Sequence, residues 1–418
     1  MASPVEVVVQ IGRDEVLAGR LWSHRRGRSE SATFSYDQGY LAFPDAYALD
    51  PGLPLVDGQL QTPSGHLIFG AFSDCAPDRW GRRLVNRDER HRVEMEGGKE
   101  RSFAEIDYLL NVRDDLRQGA LRFRDPATGV YLADTGDGIP SLIDLPTLLN
   151  AADHLERNTE TAEEVQTLLR GGSSLGGARP KAHVLNRDGK IAIAKFPSPA
   201  NDEWDVMRWE GVALELAGRC GIRIPAWSLH TIDGKAVLIV DRFDRDSDQR
   251  TAYVSAMTML EATDGDRASY LDIASVIETE GDDVAADLEE LWRRIAFSIL
   301  ISNTDDHLRN HGFLRLTSAG WRLSPAFDIN PDPSPGGKRF STAIEVGAAT
   351  TVATLLDAAP YFDLASDQAL AIFEQIATVT NDWKSVAQDC ELDQRSIREM
   401  ASAFEHEEAR VARAIVTR

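Results

Sequence analysis

Positive charge is scarce in this sequence. The 418 residues include 45 Lys and Arg against 67 Asp and Glu, which leaves a formal net charge of −22. This acidic excess argues against non-specific binding of nucleic acid or anionic membranes by the surface as a whole. A protein of this kind that handles polyanions must focus its positive charge in one place. Apolar residues make up 43% of the chain and charged residues 27%, as in an ordinary globular protein.

Cysteines and long apolar runs are also few. Cys75, Cys220 and Cys390 are an odd number of thiols without CxxC or other metal-ligand spacing, which predicts free thiols in a reducing cytosol. Residues 1–20 lack the apolar core of a signal peptide. The longest strongly apolar stretch near a helix centre, 295–301, is far shorter than the roughly 20 residues that span a bilayer. We therefore expect a cytoplasmic protein that is neither secreted nor inserted in a membrane.

The N-terminal part is predicted to form a small antiparallel sheet. The β-branched runs at 5–11 and 16–22 flank a turn, which indicates a hairpin. Alternating polar and aromatic residues at 33–36, together with the segment 40–43, are expected to extend the sheet. A loop rich in Asp, Gly, Thr and Pro follows at 125–140, and we expect a domain boundary near it.

Beyond this loop the pattern becomes increasingly helical. A turn signal at 186–189 predicts a second hairpin, and 238–240 is a predicted buried strand. No internal repeat or low-complexity tract interrupts the order of β-rich region, glycine-rich loop with a few strands, and large helical part, so the predicted class is α+β. Apolar residues at helical spacing predict helices at 142–169, 203–220, 287–302, 364–378 and 396–417.

Residues 79–101 form a local basic segment that is predicted to be partly helical. It carries eight Lys or Arg against five Asp or Glu. Two interpretations stay open. The segment is either a solvated helix face or a surface that touches phosphates.

A glycine-rich segment follows the helix predicted at 142–169. From Gly171 to Lys181 it reads GGSSLGGARPK. Glycines let backbone amides approach a ligand and point at phosphate oxygens. The segment fits neither the Walker A pattern nor GxGxxG. A flexible hinge between domains is therefore an equally good interpretation.

Lys195 alternates with apolar residues on a predicted strand, 191–196. A buried ammonium must be paired, and the expected partner is a glutamate on the next helix, Glu210, with Glu215 as its competitor. Along the chain, a glycine loop is followed by a hairpin and then by a strand lysine. Protein kinases present a phosphate cover and a phosphate-binding lysine in this order. A lysine on an edge strand that faces water is the alternative.

Asp305 and Asn310 follow a predicted helix at the Asp-to-Asn spacing of a kinase catalytic loop. Phosphoryl transfer needs an acceptor for the proton of the attacking hydroxyl and hard oxygen ligands for Mg²⁺. Asp328, 18 residues past Asn310, follows an apolar strand and is placed to be the second metal ligand. A metallohydrolase cluster at 305–307 is the alternative, weakened because no second histidine stands at a spacing such as HxxxH. For Asp328 alone, a turn is the alternative.

Together these motifs resemble the HipA family of bacterial serine/threonine kinases, the toxin half of HipA–HipB toxin–antitoxin modules. The resemblance covers nearly the whole chain, and the combination is specific although each motif is weak. The N-terminal part is similar to that family at 18–21, 34–37, 40–41, 53–55 and 72–83, the last of which contains Pro77-Asp78 and Gly81-Arg82. The remainder is similar to it at 174–181 (SLGGARPK), 241–245 (DRFDR), the Asp305-x-His307-x-x-Asn310 motif and 325–328 (PAFD).

The resemblance implies roles for individual residues. Lys195 matches the ATP-phosphate lysine and Asp305 the catalytic base, while Asn310 and Asp328 match the Mg²⁺ ligands. Ser174 matches a serine that the family autophosphorylates, which expels the loop and shuts the kinase off. The residues expected at the ATP site are Ser174, Gly176, Gly177, Ala178, Lys181, Lys195, Asp241, Phe243, His307, Asn310 and Asp328.

Two departures from the family pattern affect these roles. Ser173 directly precedes Ser174, so the modified serine could be either one. Asp306 occupies a position often held by glycine, which is expected to add a negative charge beside the base Asp305.

The resemblance also implies an architecture. A small β-rich N-terminal domain is expected over 1–125, a kinase N-lobe region with the glycine-rich loop over 126–245, and a helical C-lobe with the catalytic and metal-binding loops over 246–418. Asp241 and Phe243 would lie in the linker between the lobes, which holds adenine by backbone hydrogen bonds.

The implied function is a toxin that uses ATP and Mg²⁺ to phosphorylate a translation factor. The family expectation is an aminoacyl-tRNA synthetase, glutamyl-tRNA synthetase in particular, with arrest of translation, dormancy and persistence as the outcome. A DNA-binding HipB-like antitoxin would neutralise the toxin and co-repress the operon with it. Operator DNA would be contacted mainly through that partner, because this chain has no evident helix-turn-helix. A catalytically weak corepressor or scaffold, and a small-molecule phosphotransferase of kinase-like fold, stay open as alternatives.

Overall fold

The structure is a computed structural model that describes residues 4–27, 29–134, 138–172, 177–336 and 338–417. These residues form antiparallel sheets of five, four, three and two strands. No helix among them is both long enough and apolar enough to cross a membrane. The three cysteines are free and buried.

The first sheet has the strand order β4-β3-β2-β1-β5. The predicted hairpin is confirmed, since β1 and β2 pair with Val9 opposite Val16, and β-branched residues suit this pleated surface. The elements of this region are β1 (Val5–Ile11), β2 (Asp14–Arg26), β3 (Ser29–Tyr36), α1 (Gln38–Leu41), β4 (Leu60–Gln61), α2 (Gly70–Asp74), α3 (Arg79–Glu96), α4 (Glu105–Asn111) and β5 (Leu121–Arg124).

Residues 40–43 do not extend the sheet, and that expectation is wrong. The side chain of Asp37 caps α1 by accepting a hydrogen bond from the amide of Gly39 at 2.8 Å. Tyr40 is fully buried, and its hydroxyl donates to the carbonyl oxygen of Tyr47 at 2.9 Å. The aromatic pattern predicted a strand, but Tyr40 lies in a short helix and is held by this tertiary contact and not by a strand partner.

A second sheet, in the order β6-β7-β9-β8, lies in the middle of the chain. The second predicted hairpin is confirmed, with Ala182 of β6 opposite Ala194 of β7. The helix predicted over 142–169 is two helices, because Asn158 takes the left-handed conformation (φ 55°) and Thr161 starts a new capping box. The elements are α5 (Leu145–Arg157), α6 (Ala162–Arg170), β6 (Lys181–Leu185), β7 (Ile191–Lys195), α7 (Val206–Arg219), β8 (Trp227–Ile232) and β9 (Lys235–Asp241).

Helices cover both faces of this second sheet. On one face, α5, α6 and Trp80 of α3 pack in a core that includes Ala194. On the other face, Leu238 joins a larger core that contains α7. This larger core extends from Val7 in the N-terminal sheet to Ala412 near the C-terminus. The N-terminal sheet therefore shares its core with the helical part of the chain.

Helices dominate the last part of the chain. α10 is buried along most of its length. The remaining elements are β10 (Arg245–Asp246), β11 (Gln249–Arg250), β12 (Ala252–Ser255), α8 (Ala256–Met259), α9 (Tyr270–Glu280), α10 (Val284–Ile301), β13 (Gly312–Arg315), β14 (Arg322–Leu323), α11 (Val352–Asp357), α12 (Ser366–Thr380), α13 (Trp383–Asp389), α14 (Gln394–Glu399), α15 (Ala401–Phe404) and α16 (Glu407–Val416).

The single helix predicted over 396–417 is wrong, since the chain forms α14, α15 and α16 there. Bonds to the end of α10 interrupt it. The hydroxyl of Ser302 donates to the carbonyl oxygen of Ala403 at 2.9 Å, and the Nε2 of His406 lies 3.2 Å from the carbonyl oxygen of Leu300. The α+β class is confirmed, whereas the boundaries near residues 125 and 245 stay predictions.

The basic segment 79–101 is built around α3, and ion pairs engage many of its arginines. Arg82 and Arg83 pair with Glu105 and Glu156, and Arg87 pairs with Glu160. These pairs join α3 to its neighbours in the fold. Of the two interpretations they favour the helix face over a surface that binds phosphate, although these arginines are ion-paired and not simply solvated.

Candidate active site

Lys195 is the last residue of β7, an inner strand of the second sheet. Its Nζ lies 2.6 Å from Oε1 of Glu210 on α7 and 3.0 Å from Oδ1 of Asp328. The competitor Glu215 pairs with Arg219 instead. Burial disfavours the ammonium, yet the carboxylates of Asp328 and Glu210 raise the pKa of Lys195 above its usual value. Lys195 is therefore a paired cation on an inner strand, with 14% of its side chain exposed, and the edge-strand alternative is wrong.

Asp328 follows β14 and has a left-handed backbone, with φ 57°. Only a minority of non-glycine residues adopt this region, and such strain often accompanies functional sites. Although burial favours the neutral acid, Lys195 lowers the pKa of Asp328 to about 2. Asp328 therefore presents an ionised carboxylate at the site. This favours the predicted ligand over the alternative of a simple turn residue.

The loop between α10 and β13 carries Asp305, His307 and Asn310. The side-chain amide of Asn310 donates to the carbonyl oxygen of Asp305 at 3.1 Å, and the amide of His307 donates to the same oxygen at 2.9 Å. These bonds hold the backbone of Asp305 while its side chain is exposed to solvent. Asp305 is thus fixed by its main chain and left open to a substrate.

Asp306 is not placed as the sequence suggested. Its carboxylate is buried and has partners of its own: Oδ2 accepts a hydrogen bond from the hydroxyl of Tyr270 at 2.5 Å, and Oδ1 lies 3.1 Å from Nε2 of His311. Burial opposes its ionisation, but His311 and Tyr270 lower the pKa of Asp306. Asp306 therefore ties the loop to α9.

Part of the predicted glycine loop lies outside the described residues. This applies to the expected site residues Ser174 and Gly176, and to Ser173. Gly177 is described and has φ 115°, a conformation that suits glycine. Arg179, two residues further on, is paired with Asp202.

Lys181 opens β6 directly after this loop, and its side chain is buried. Its Nζ lies 2.6 Å from Oδ2 of Asp78, and its carbonyl oxygen accepts a hydrogen bond from Nε1 of Trp80 at 2.9 Å. A Cβ atom added to Gly177 would lie 3.0 Å from this Nζ. The contact of Asp78 was not predicted from the sequence, because the pair joins residues 103 positions apart. The one signal was the Pro77-Asp78 motif within 72–83.

Asp241 and Phe243 lie at the end of β9, where the second sheet meets the helical part. The ring of Phe243 packs against Phe327, with 5.6 Å between ring centroids. The amide of Asp241 donates to the carbonyl oxygen of Ala226, and its carboxylate accepts from Asn186 at 2.9 Å. The segment is therefore anchored by strand bonds on one side and by ring packing on the other.

Arg242, between these two residues, is buried, and no individual role was predicted for it from its DRFDR motif. Its guanidinium binds Asp244, with the shorter contact at 2.6 Å, and donates to the carbonyl oxygen of Leu116 at 2.7 Å. One Nη also lies 3.2 Å from Nε2 of His183, whose Nδ1 lies 2.8 Å from the carbonyl oxygen of Gly171. Buried bonds thus connect this segment, the N-terminal part and the start of the glycine loop.

The side chains at this site fit ATP with Mg²⁺. The carboxylate of Asp328 and the amide oxygen of Asn310 are the hard oxygen ligands that Mg²⁺ prefers, and this ion usually keeps waters and phosphate oxygens as its other ligands. Nδ1 of His307 and Oδ1 of Asn330 are buried without a hydrogen-bond partner in the described part of the chain. No group of three His, Cys, Asp or Glu side chains that could hold a metal occurs among those residues.

Comparison with known proteins identifies the family. The family model described as the HipA-like C-terminal domain matches residues 173–411, more than half of the chain. The chain belongs to the HipA-like family. The match covers both the paired lysine Lys195 and the loop with Asp305 and Asn310.

Two curated relatives of this HipA-like protein are named as kinases. A Haemophilus influenzae protein named "Putative kinase" is 24% identical over 186 residues, which are 39% of this chain and 54% of that protein. A Sinorhizobium fredii protein named "Putative kinase Y4mE" is 24% identical over 217 residues, 44% of this chain and 48% of that protein. The matched regions therefore span about half the length of these relatives.

A solved structure shares the fold over nearly the whole chain. It is HipA from Shewanella oneidensis, determined in a complex of the toxin–antitoxin system with HipB and operator DNA. The TM-score is 0.63 at 16% identity, and the alignment covers 99% of this chain and 96% of the other. The β-rich N-terminal region is therefore part of a HipA fold.

Proposed function

We propose that this HipA-like protein is a protein serine/threonine kinase that uses ATP and Mg²⁺. The observation that carries the proposal is the pairing of Lys195 with both Glu210 and Asp328, at 2.6 and 3.0 Å. In protein kinases a strand lysine pairs with a helix glutamate and faces a metal-binding aspartate. The fold likeness to HipA and the kinase names of the curated relatives support the same activity.

The nucleotide would lie between the glycine loop and the segment at the end of β9. Backbone groups of Asp241 and Phe243 would bind adenine. Lys195, together with Lys181, would neutralise the phosphates. Backbone amides of the loop would cover them; the proposed cover comprises Ser174, Gly176, Gly177 and Ala178, of which the last two are among the described residues.

The exposed carboxylate of Asp305 would orient the substrate hydroxyl and accept its proton. Asn310 and Asp328 would hold Mg²⁺, with His307 beside them at the site. When bound, Mg²⁺ supplies positive charge that offsets the charge developing on the transferred phosphoryl group. Lys195 is already fixed by two carboxylates, so its ammonium does not have to reorganise as charge develops.

The substrate, the regulation and the partner are proposed from the family. The substrate would be a translation factor, an aminoacyl-tRNA synthetase such as glutamyl-tRNA synthetase, and its phosphorylation would lead to dormancy and persistence. Autophosphorylation would occur on Ser174, with Ser173 as the alternative. A HipB-like antitoxin would neutralise the kinase and bring it to operator DNA. The structure of the related HipA was determined in a complex with HipB and its operator DNA, which supports such a partner.

Phosphoryl transfer from labelled ATP tests the proposal. Wild-type protein with Mg²⁺ is expected to label itself and a protein substrate, and Asp305→Gln to lose at least about 10²-fold in rate, as for removal of a general base. Phosphoproteomics after brief expression of both forms would identify the substrate. Equal, background-level labelling in both samples contradicts the kinase. Co-purification with a small basic DNA-binding protein, without turnover of ATP, would instead favour a corepressor.

A further inference from the structure

The carboxylate of Asp78 makes two contacts at the start of α3. Its Oδ1 accepts a hydrogen bond from the amide of Gly81 at 2.7 Å, which caps the helix. Its Oδ2 accepts from the Nζ of Lys181 at 2.6 Å. The side chains of Asp78 and Lys181 are 7% and 8% exposed. A charged pair this well shielded from water is both costly to form and strongly oriented.

The first turn of α3 holds the main chain of Lys181 as well. Trp80 is 1% exposed, and its indole donates to the carbonyl oxygen of Lys181 at 2.9 Å. Trp80 also packs in the core beneath the second sheet. Two residues of one capped helix thus fix both the ammonium and the backbone of Lys181, although 103 positions separate Asp78 from it.

This ammonium lies where the phosphates of ATP are expected. Lys181 is directly opposite Lys195 on the neighbouring strand, and opposite residues of an antiparallel pair point to the same face. Its Nζ is close to Gly177 in the glycine loop, and its charge contributes to the low pKa of Asp328. Two like charges on one face repel each other, and here each ammonium has a carboxylate partner of its own.

We propose that Asp78 is a positioning residue for ATP, which acts through Lys181. Asp78 would hold the Lys181 ammonium between Gly177 and Asp328. Lys181 would then complete the phosphate-binding site together with Lys195. This inference rests on the proposed kinase function. It explains why the N-terminal part is built into the nucleotide site, and it assigns a role to the Pro77-Asp78 motif.

Asp78→Asn tests the inference because it keeps a capping oxygen and the size of the side chain but removes the negative charge. The KM for MgATP is expected to rise about tenfold or more, the loss typical of a hydrogen bond to a charged group, while kcat changes only a few-fold. Direct calorimetric titration with MgATP should show the same weakening. In a Lys181→Gln background, Asp78→Asn should add little, because its route to ATP is already gone.

Asp78→Ser is the second variant, since serine is also a good N-cap, and it should raise the KM in the same way if Asp78→Asn fails to fold. An unchanged KM in a folded variant would overturn the inference. An equal rise in the wild-type and Lys181→Gln backgrounds would also overturn it, since that is the behaviour of a helix cap alone. Wild-type protein that neither binds MgATP nor transfers phosphate would overturn the proposed function together with the inference, so the two failures are distinguishable.

Discussion

At the scale of single residues, the pairing of Lys195 shows how a few side chains set the electrostatics of the site. A lysine and one carboxylate would form a neutral pair, but Lys195 contacts two carboxylates, those of Glu210 and Asp328. The group of three therefore has two carboxyl groups for one ammonium, which is an excess of negative charge when both are ionised, although burial raises the pKa of Glu210. A bound cation would offset this charge, so ATP binding is expected to depend on Mg²⁺.

The role of Glu210 can be separated from that of its neighbours on α7. Glu210→Gln keeps the volume but removes the charge that positions Lys195, and we expect phosphoryl transfer to fall by about 10²-fold, as for a catalytic group displaced by an ångström. The matched control is Glu215→Gln on the same helix, which removes the partner of Arg219. Initial rates with labelled ATP measure both. Similar rates for the two variants would contradict the assignment of Glu210.

The adjacent residues Asp305 and Asp306 are expected to respond to substitution in opposite ways. Asp305→Asn should slow transfer at least about 10²-fold, as for loss of a general base, and leave thermal unfolding unchanged, because its side chain is exposed. Asp306→Asn should destabilise the protein by about 1–3 kcal/mol, because it disrupts a buried charged partner of Tyr270. Denaturant unfolding and rate measurements on both variants test this contrast. Stability lost in Asp305→Asn but not in Asp306→Asn would refute it.

At the scale of elements, β6 joins the glycine loop to the segment 241–245. His183 stands in the middle of β6 between the carbonyl oxygen of Gly171 and the guanidinium of Arg242. Arg242 in turn reaches the carbonyl oxygen of Leu116 in the N-terminal part. A shift of this segment would therefore have to break buried bonds, so we infer that it and the start of the glycine loop move together.

The environment of His183 predicts a pH effect on stability. Burial and Arg242 hold the pKa of His183 well below its usual range. The neutral ring in the folded state thus stabilises the protein fully above about pH 6.5, and this stabilisation is lost as the pH falls below that value, because the unfolded chain takes up the proton. One such group contributes at most about 1.4 kcal/mol per pH unit.

His183→Gln is the test of this effect, since it cannot take up a proton. The free energy of unfolding of the wild type should decline more steeply between pH 6.5 and 5 than that of the variant. Chemical denaturation at several pH values gives both slopes. Parallel slopes would show that His183 does not titrate on unfolding, and the predicted linkage would then be wrong.

Local patterns predicted those elements that local interactions determine. The hairpins β1–β2 and β6–β7, and α7 with its Glu210, follow from alternation and helical spacing. The helix breaks at Asn158 and before α16 were not predicted. The break before α16 depends on hydrogen bonds with the end of α10, about 100 residues earlier in the chain. At the site, the Lys195–Glu210 pair was predicted from the kinase order of the motifs. The Asp78–Lys181 pair and the burial of Asp306 were not, because their partners lie far apart in the sequence and no motif joins them.

At the scale of the whole molecule, the larger core connects the N-terminal sheet with the C-terminal helices. The N-terminal part also contributes Trp80 to the core below the second sheet. The parts that the resemblance treats as separate domains are thus linked by apolar packing and by the Asp78–Lys181 pair. We expect them to unfold together and not one by one.

The net charge of −22 makes a second prediction at this scale. If a basic HipB-like antitoxin docks on the acidic surface, the complex should weaken clearly as salt is raised from low to high concentration, because exposed charges are then screened. Titration of the purified partner at several ionic strengths measures this dependence. An affinity that barely changes with salt would contradict an electrostatic docking face.

The burial of the cysteines has a practical consequence for spectroscopy. Burial raises the pKa of Cys75 and Cys220 to about 12 and that of Cys390 to about 11, so all three are protonated thiols with little access to reagents. A cysteine introduced at an exposed position such as Ala178, at the edge of the glycine loop, would react first with a maleimide dye. The natural protein is therefore ready for site-specific labelling, and fluorescence from this one position could follow the loop as nucleotide binds.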